Sequence, residues 1–455
     1  MMGLYGRIFD VVVAGGGVSG CAAAVSAARL GANVLVIEPN GYLGGALTAC
    51  GVGPMMTFHA GKKQVIRGFM QELVSVLESR GYSKGHVPDT KQYTDTITPF
   101  NAEGLKLALD DMLAGEGVEI LFHSFVGGVL KGGGRITGLT VCNKDGLNTV
   151  KAKVFIDATG DGDVAYWAGA KMEKGRPLDG AAQPMTMKMK YLGVDTAALK
   201  THILKNIESF PEMKGKESLL GLDIPADIEG FAAEVKKEKA AGRLDLAREN
   251  ILMFATDREG EYILNTTRII GHDATNAKSL SVAEITGRRQ CRQLDAFLRG
   301  HVPGFENAAL EFTGPSIGVR SSRQLVGLYT LDAEDILSCK RFSSAVAHSG
   351  YPIDIHSPDG EGTASYFLKE KGSYYSIPYE VMVCGEIENL IVTGRCCSVT
   401  FEAQASIRVT PSAGALGQAA GAAASQAASK NGDVRAIGIK ELQAALIGQG
   451  AYIEV

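Results

Sequence analysis

No uninterrupted apolar run in this 455-residue chain reaches the roughly 20 residues that a membrane-spanning helix needs, so no membrane span is expected. Neither sign of charge dominates. The chain carries 46 Lys and Arg against 50 Asp and Glu, a formal net charge of -4, and the basic residues are scattered. With no basic tail and no Arg-rich face, nucleic acid and anionic membrane are not expected partners. None of the eight cysteines forms a C-x-x-C pair or clusters at zinc or iron–sulfur spacing, so no metal is expected. A chain of this size in a reducing compartment keeps its thiols reduced. The adjacent Cys396 and Cys397 read as two buried small apolar residues rather than a vicinal disulfide. Few residues precede the first apolar strand, so no signal peptide is expected and a cytoplasmic location follows. No long linker, low-complexity segment or repeat is visible. The length suggests two or three domains.

What is present is concentrated at the start. Asp10 to Ala14 is a β-branched run that reads as a buried strand. Gly15, Gly17 and Gly20 then form a G-x-G-x-x-G turn into an Ala-rich helix, opened by Val18 and Ser19 and stopped near Gly31. Gly15 permits the sharp turn, Gly17 lets backbone approach a pyrophosphate, and Gly20 lets the helix lie close on the sheet. The free N–H groups and dipole of the helix N-terminus favour phosphate. A second apolar strand, Asn33 to Ile37, ends on Glu38 and Pro39. An acid at that position accepts both hydrogens of an adenosine ribose diol. In a chain this rich in glycine the motif alone is weak, but strand, helix, second strand and acid stand in register, which makes a dinucleotide site.

The loop after Glu38 holds Gly44, Gly45, Ala46 and Thr48. It is either backbone packed on a flat polar ligand, with N–H and hydroxyl donors turned to it, or a Gly-rich surface loop. A helix is expected over Lys62 to Arg80 and another over Asn101 to Leu113. Strands follow over Val118 to His123, Phe125 to Leu130, Ile136 to Cys142 and Thr149 to Phe155, the last three as a meander. A strand over Val154 to Ala158 returns to the main sheet. It runs into Thr159, Gly160, Asp161 and Asp163, whose acids either cap the next helix or touch the nucleotide. Residues 171 to about 380 differ in texture, with helices expected over 200–208, 228–248 and 281–299. Strand character returns at Asn389 to Thr393, followed by Arg395 and a small-residue helix from Gly414 to Ala428 that contains Gly417.

The combination GGGVSG…VIE, GYLGGALT, IDATGDGDVAYWAGA, NLIVTGRC and SIRVTPSAGALGQAAG resembles the FAD-dependent oxidoreductase family of bacterial flavoproteins, within the fumarate reductase/succinate dehydrogenase flavoprotein-like group. LNTTRI, VPGFEN, IGVRSSR, YPIDIH and YSIPYEV in the middle match it too, so the resemblance runs over essentially the whole chain. The chain departs from the family's pattern at Arg320-Ser321-Ser322-Arg323, where an acid often follows the first Arg, at Phe401, where the family often has His, and at Cys50. The resemblance implies an α/β fold: a Rossmann-like FAD-binding domain (parallel sheet plus three-stranded β-meander, residues 1–170 and 385–455) with an inserted α+β substrate domain (171–384). It implies that Gly15, Gly17 and Gly20 hold the pyrophosphate and Glu38 the ribose. Gly44, Gly45 and Thr48 would lie along the ribityl and flavin edge, and Val126 would offer its backbone to adenine. Gly160 and Asp161 would flank the nucleotide, with Arg395 and the helix starting near Gly414 to Gly417 at the ribityl chain and pyrimidine end.

The expected chemistry is hydride transfer between flavin N5 and a small-molecule substrate, in a cleft between the domains. His356, ending an apolar run, is the candidate acid/base near neutral pH, or else a structural His bonded to backbone. Arg320, Arg323 and Arg408 are candidate anion clamps, or else structural ion pairs. FAD is expected to be non-covalent, with Cys50 the one thiol placed for attachment. No second G-x-G-x-x-G unit suits NAD(P)H, so the electron acceptor or donor is expected to be external; a homo-oligomer is open. The alternatives are a flavoprotein subunit of an electron-transfer complex, a tRNA-modifying flavoprotein, against which the acidic balance argues, and a non-redox use of FAD.

Overall fold

A computed structural model describes residues 4–221 and 226–454. The chain opens with β1 (Ile8–Ala14), α1 (Val18–Arg29) and β2 (Val34–Ile37). Next come α2 (Phe69–Ser79), α3 (Ala102–Gly115), β3 (Glu119–Leu121), β4 (Phe125–Gly132), β5 (Arg135–Asn143), β6 (Gly146–Asp157) and α4 (Asp163–Ala168). The order β3-β2-β1-β6 is parallel, and β4 and β5 run antiparallel onto the first half of β6. All four residues of β2 and the last four of β1 are buried, as a parallel sheet covered on both faces requires. The single 12-residue β6 does the work of two expected strands: Leu147 to Val150 pair with β5, and Lys151 to Asp157 pair with β1.

The middle of the chain supplies β7 (Met189–Leu192), β8 (Asp227–Gly230), β9 (Ile251–Ala255), β10 (Tyr262–Leu264), α5 (Ala277–His301) and β11 (Ala309–Thr313). These strands form an antiparallel sheet in the order β8-β9-β10-β7-β11. Its hydrophobic core takes its buried members from Met185 to Ile317 only. Then come the hairpin strands β12 (Ile353–His356) and β13 (Thr363–Tyr366), β14 (Leu390–Val392), α6 (Phe401–Ile407) and α7 (Thr410–Ala428). β14 joins the main sheet parallel to the end of β6. Leu331, Ile336, Val346, Ile353 and Val383 pack into the core around α1, α2 and α7. The stretch 171–384 therefore contributes to two cores.

Three expected helices differ in extent. The helix expected from Lys62 begins at Phe69, because Gly68 at φ +62° turns the chain first and Lys63–Gln64 pair with His59–Ala60. The stretch 228–248 begins as β8, whose Gly230 lies under the Phe210 ring, and only Ala232–Ala240 is helical. The helix expected from Gly414 begins a turn earlier, at Thr410, with Pro411 in its first turn. No helix among the described residues is long and apolar enough to cross a membrane.

Candidate active site

The turn after β1 is built by close approach. A Cβ on Gly15, at φ +104°, would stand 2.5 Å from the Ala158 carbonyl oxygen, and one on Gly20 would stand 1.9 Å from that of Gly15. At Gly17 the nearest protein atom to a Cβ is 3.8 Å away, so the space beside it belongs to no other part of the chain. Gly17 also N-caps α1 with no side chain on the first N–H groups. Open space beside unsatisfied N–H donors, with no acid in the first turn, suits a phosphate. Glu38 Oε2 accepts from Gly16 N at 2.7 Å, and Oε1 accepts from Asn40 N and Nδ2 at 2.9 and 2.7 Å. Gly16 is the residue the motif reading passed over. A Cβ there would lie 2.6 Å from Leu43 and 3.0 Å from the Glu38 carboxylate.

Several expected donors are engaged inside the protein. Gly44 N donates to Gly16 O at 2.9 Å, and the Thr48 hydroxyl donates to Leu43 O at 2.8 Å, which closes the loop on itself. Gly45 packs on Gly17, where a Cβ would be 2.8 Å from its Cα. The Ser19 hydroxyl is 2.9 Å from that of Thr393. Pro39 is exposed beside buried Glu38 and turns no polar group inward. Val126 pairs with Val141 next to a one-residue slip in the β4–β5 register. Gly414 and Gly417 do not face a ligand. Cβ atoms there would strike Met70 Sδ at 2.1 Å and Ser19 O at 2.1 Å, so these glycines let α7 lie against α2 and α1. The end of α7 that reaches the cavity is Val409–Thr410.

At the end of β6 the caps of α4 come from residues other than the expected acids. Buried Asp157 accepts from Thr159 Oγ1 at 2.7 Å and from Ala165 N at 2.8 Å, and the Thr159 hydroxyl accepts from Asp163 N at 3.1 Å. Burial pushes Asp157 up to about 6. Asp161 Oδ1 accepts from Ser322 Oγ at 2.6 Å and Arg395 Nη2 at 2.9 Å. Gly160, at φ +80°, leaves room for that guanidinium, which a Cβ would meet at 2.7 Å. Asp163 pairs with Arg323, which also donates to Asp161 O and lies over the Tyr166 ring at 4.2 Å.

Between the two sheets lies a cavity of about 180 Å³ whose wall includes Ala46, Lys188, Arg320, Asp354, Arg395 and Arg408. Four cationic side chains converge there with one acid. Arg320 and Arg408 meet at this wall, whereas Arg323 is absent from it. Arg320 Nη1 donates to Pro184 O at 2.5 Å, and Arg408 Nη2 donates to Asp354 O at 3.2 Å. The buried Nε atoms of Arg395 and Arg408 have no protein partner. Lys188 is buried at 5 % exposure, and burial, reinforced by the Arg320, Arg248 and Arg408 guanidiniums, holds its ammonium well below the usual range. Lys188 escaped the sequence reading because a lone Lys in a strand-like run carries no motif.

His356 lines this cavity but is not poised near neutral pH. Arg268 Nη2 lies 3.2 Å from its Nδ1, and a guanidinium can only donate, so Nδ1 accepts and Nε2 carries the hydrogen. Nε2 stands 3.4 Å from Asp354 Oδ2. Burial, and then the Arg320 charge, lower the His356 pKa to about 3, so the ring is neutral at pH 7 and held at both nitrogens. The His356 N–H beside it and the Arg408 and Arg320 charges hold the Asp354 carboxyl below the usual carboxylate range against burial. Cys50 is half-buried, donates to Ile317 O at 3.4 Å and is raised by desolvation to about 11.

The family described as FAD dependent oxidoreductase matches residues 10–446. No curated protein matches the chain. Among solved structures it is similar to a geranylgeranyl bacteriochlorophyll reductase-like protein from Thermoplasma acidophilum, at 15% identity over 98% of this chain and 84% of that chain, TM-score 0.46. It is similar to the flavin-dependent brominase Bmp2 at 13% identity over 98% and 84%, TM-score 0.48. The L-proline dehydrogenase from P. horikoshii aligns at 11% identity over 91% and 92%, TM-score 0.44. At such identities and scores these likenesses carry no argument about chemistry.

Proposed function

The chain belongs to the FAD-dependent oxidoreductase family, and on that premise we propose that it is a dehydrogenase or reductase of a small organic anion, with an external electron partner. The observation that carries this reading is the convergence of Lys188, Arg320, Arg395 and Arg408 on one cavity with Asp354 as its single acid. FAD, the family's cofactor, supplies two-electron chemistry by hydride exchange at its N5. The residues fit it: the cradle beside Gly17 and the first N–H groups of α1 would hold the pyrophosphate, and Glu38 the adenosine ribose. Gly160, Asp161, Arg395 and the start of α7 would line the rest of its path.

Within the cavity Arg320 and Arg408 bind and orient the anion, since a guanidinium forks onto a carboxylate. Lys188 replaces His356 as the group that holds or moves a proton, because its amine lines the cavity with its pKa lowered by burial, while the His356 nitrogens are both engaged. Binding is non-covalent, as the half-buried Cys50 is a thiol pushed up to about 11.

The test is the visible spectrum of the purified protein before and after acid precipitation, followed by anaerobic bleaching with a panel of small carboxylates. Released FAD and bleaching by a carboxylate support the reading. A protein that cannot be reconstituted with FAD, or one bleached only by uncharged donors, overturns it.

A further inference from the structure

A second cavity of about 380 Å³ adjoins the first, and the two share Met56, Phe254, Asn265, Tyr351, Asp354 and His356 in their walls. Its cations are already engaged. Lys91 and Arg248 both pair with Glu229, and Arg268 donates to the Gly360 and Gly362 carbonyls. Two of its acceptors are not. Asp227, the first residue of β8, has no solvent exposure, and neither carboxylate oxygen has a hydrogen-bond partner. Its backbone is fixed: the N–H donates to Thr90 Oγ1 at 2.8 Å, and that hydroxyl donates back to the Asp227 carbonyl. Asn265, at the seam of the two cavities, donates its N–H to Leu252 O and leaves Oδ1 buried without a partner.

Orphaned buried carboxylate oxygens are costly and call for a donor. The open valences of the inner cavity are donors, the Nε atoms of Arg395 and Arg408. Those of the outer cavity are acceptors, Asp227 and Asn265 Oδ1. A ligand that satisfies both ends is anionic at one end and a hydrogen donor at the other. Resting on the reading of the inner cavity as an anion site, we infer that the substrate is an amino carboxylate: its carboxylate lies with Lys188, Arg320 and Arg408, and its amine is received by Asp227 and Asn265. The amine is the donor of choice because Asp227 faces a second acid, Asp89. A cation between two carboxyls relieves their repulsion, which a hydroxyl does not. Asp89 is already ordered for this, accepting from Lys91 N and Thr94 N at 2.8 Å each. Burial and the Asp89 charge push the Asp227 carboxyl up in the free protein, and an arriving ammonium favours its ionised form and drives a proton off to solvent.

The experiment is calorimetric titration of the FAD-loaded protein with straight-chain ω-amino carboxylates, from β-alanine to aminohexanoate, beside the matching alkanoates and ω-hydroxy alkanoates. The expected result is that the best amino carboxylate binds at least about tenfold tighter than its alkanoate, a difference of about 1.4 kcal/mol. In Asp227→Asn that preference falls to within about twofold while alkanoate affinity is unchanged. Titration in two buffers of different ionisation enthalpy reads the released proton in the wild-type protein, so the inference stays testable if the variant does not fold. Alkanoates that bind with no amine preference, a preference for the hydroxy series, or binding without proton release each overturn it and leave the anion site standing. Failure of every carboxylate to bind overturns the anion site and this inference together.

Discussion

The packed face of α1 against α7 and the inner cavity are built from opposite materials. The helix face is glycine and alanine: Cβ atoms on Gly417 and Gly421 would stand 2.1 Å from Ser19 O and 2.0 Å from Ala23 O, so two backbones touch without side chains between them. The cavity is lined with charge, and its cations face one another as well as Asp354. The first region tolerates no added atom, whereas the second holds like charges together and leaves donors open, a state that an incoming anion relieves. On the proposed function, close packing positions the nucleotide half and unsatisfied polarity marks the reacting half.

The substitution that should separate them most is Lys188→Met, which keeps the volume and removes the amine. The expected outcome is a fall of about two to four orders of magnitude in the rate of flavin reduction by a bleaching carboxylate, with FAD retained. Stopped-flow absorbance checks it, and an unchanged rate would remove Lys188 from the proton path. On the other side of the comparison, Gly417→Ala puts a methyl group onto a backbone oxygen. It should destabilise the fold by about 3 kcal/mol, read by denaturant unfolding. The contrasting Gly300→Ala, in α5 with nothing within 4 Å of its Cβ, should be neutral or stabilise by up to about 1 kcal/mol.

How much of each region could be read in the sequence follows from how local it is. Gly15, Gly17, Gly20 and Glu38 lie within one βαβ unit, so spacing alone places them. The glycines of α7 were legible as a small-residue helix but not as a packing surface. Whether Gly417 faces a ligand or Ser19 depends on the path of a helix nearly 400 positions away. The cavity draws Lys188, Arg320, Asp354 and Arg408 from different elements, and no spacing rule links them. His356 shows the same limit. Its place at the end of a strand was visible, but the Arg268 hydrogen bond that fixes its tautomer is tertiary.

That tautomer makes a pH prediction. The folded-state pKa of His356 is about 3, below the ordinary 6.5, so above pH 6.5 the ring is neutral folded and unfolded and has no pH-dependent effect. Below 6.5 the unfolded chain takes up a proton that the folded one refuses, and stability falls with pH until about 3. His356→Gln lacks this loss. Between pH 7 and 5 the variant should gain about 2 kcal/mol relative to the wild type, by urea unfolding at the two values. Equal pH slopes would show that the ring is not held neutral, and the helix face would then be the one region of this pair with a fixed protonation state.

The smallest effect belongs to the arginine that lies outside the cavity. Arg408 and Arg323 were indistinguishable in the sequence, yet one lines the cavity with an unpartnered Nε and the other is taken up by Asp163, the Asp161 carbonyl and the Tyr166 ring. Arg408→Met should weaken carboxylate binding at least about tenfold, since a charge-assisted pair contributes about 1.5–3 kcal/mol. Arg323→Met should change it by no more than about twofold, because the lost charge is already balanced by Asp163 at 2.8 Å. The measurement is a calorimetric titration of both variants with one alkanoate at fixed salt. An Arg323 loss as large as that of Arg408 would mean that the cavity's charge is set by the whole cluster around Asp161, through Arg395, and the line between packed frame and reactive cavity would have to be drawn beyond Arg323.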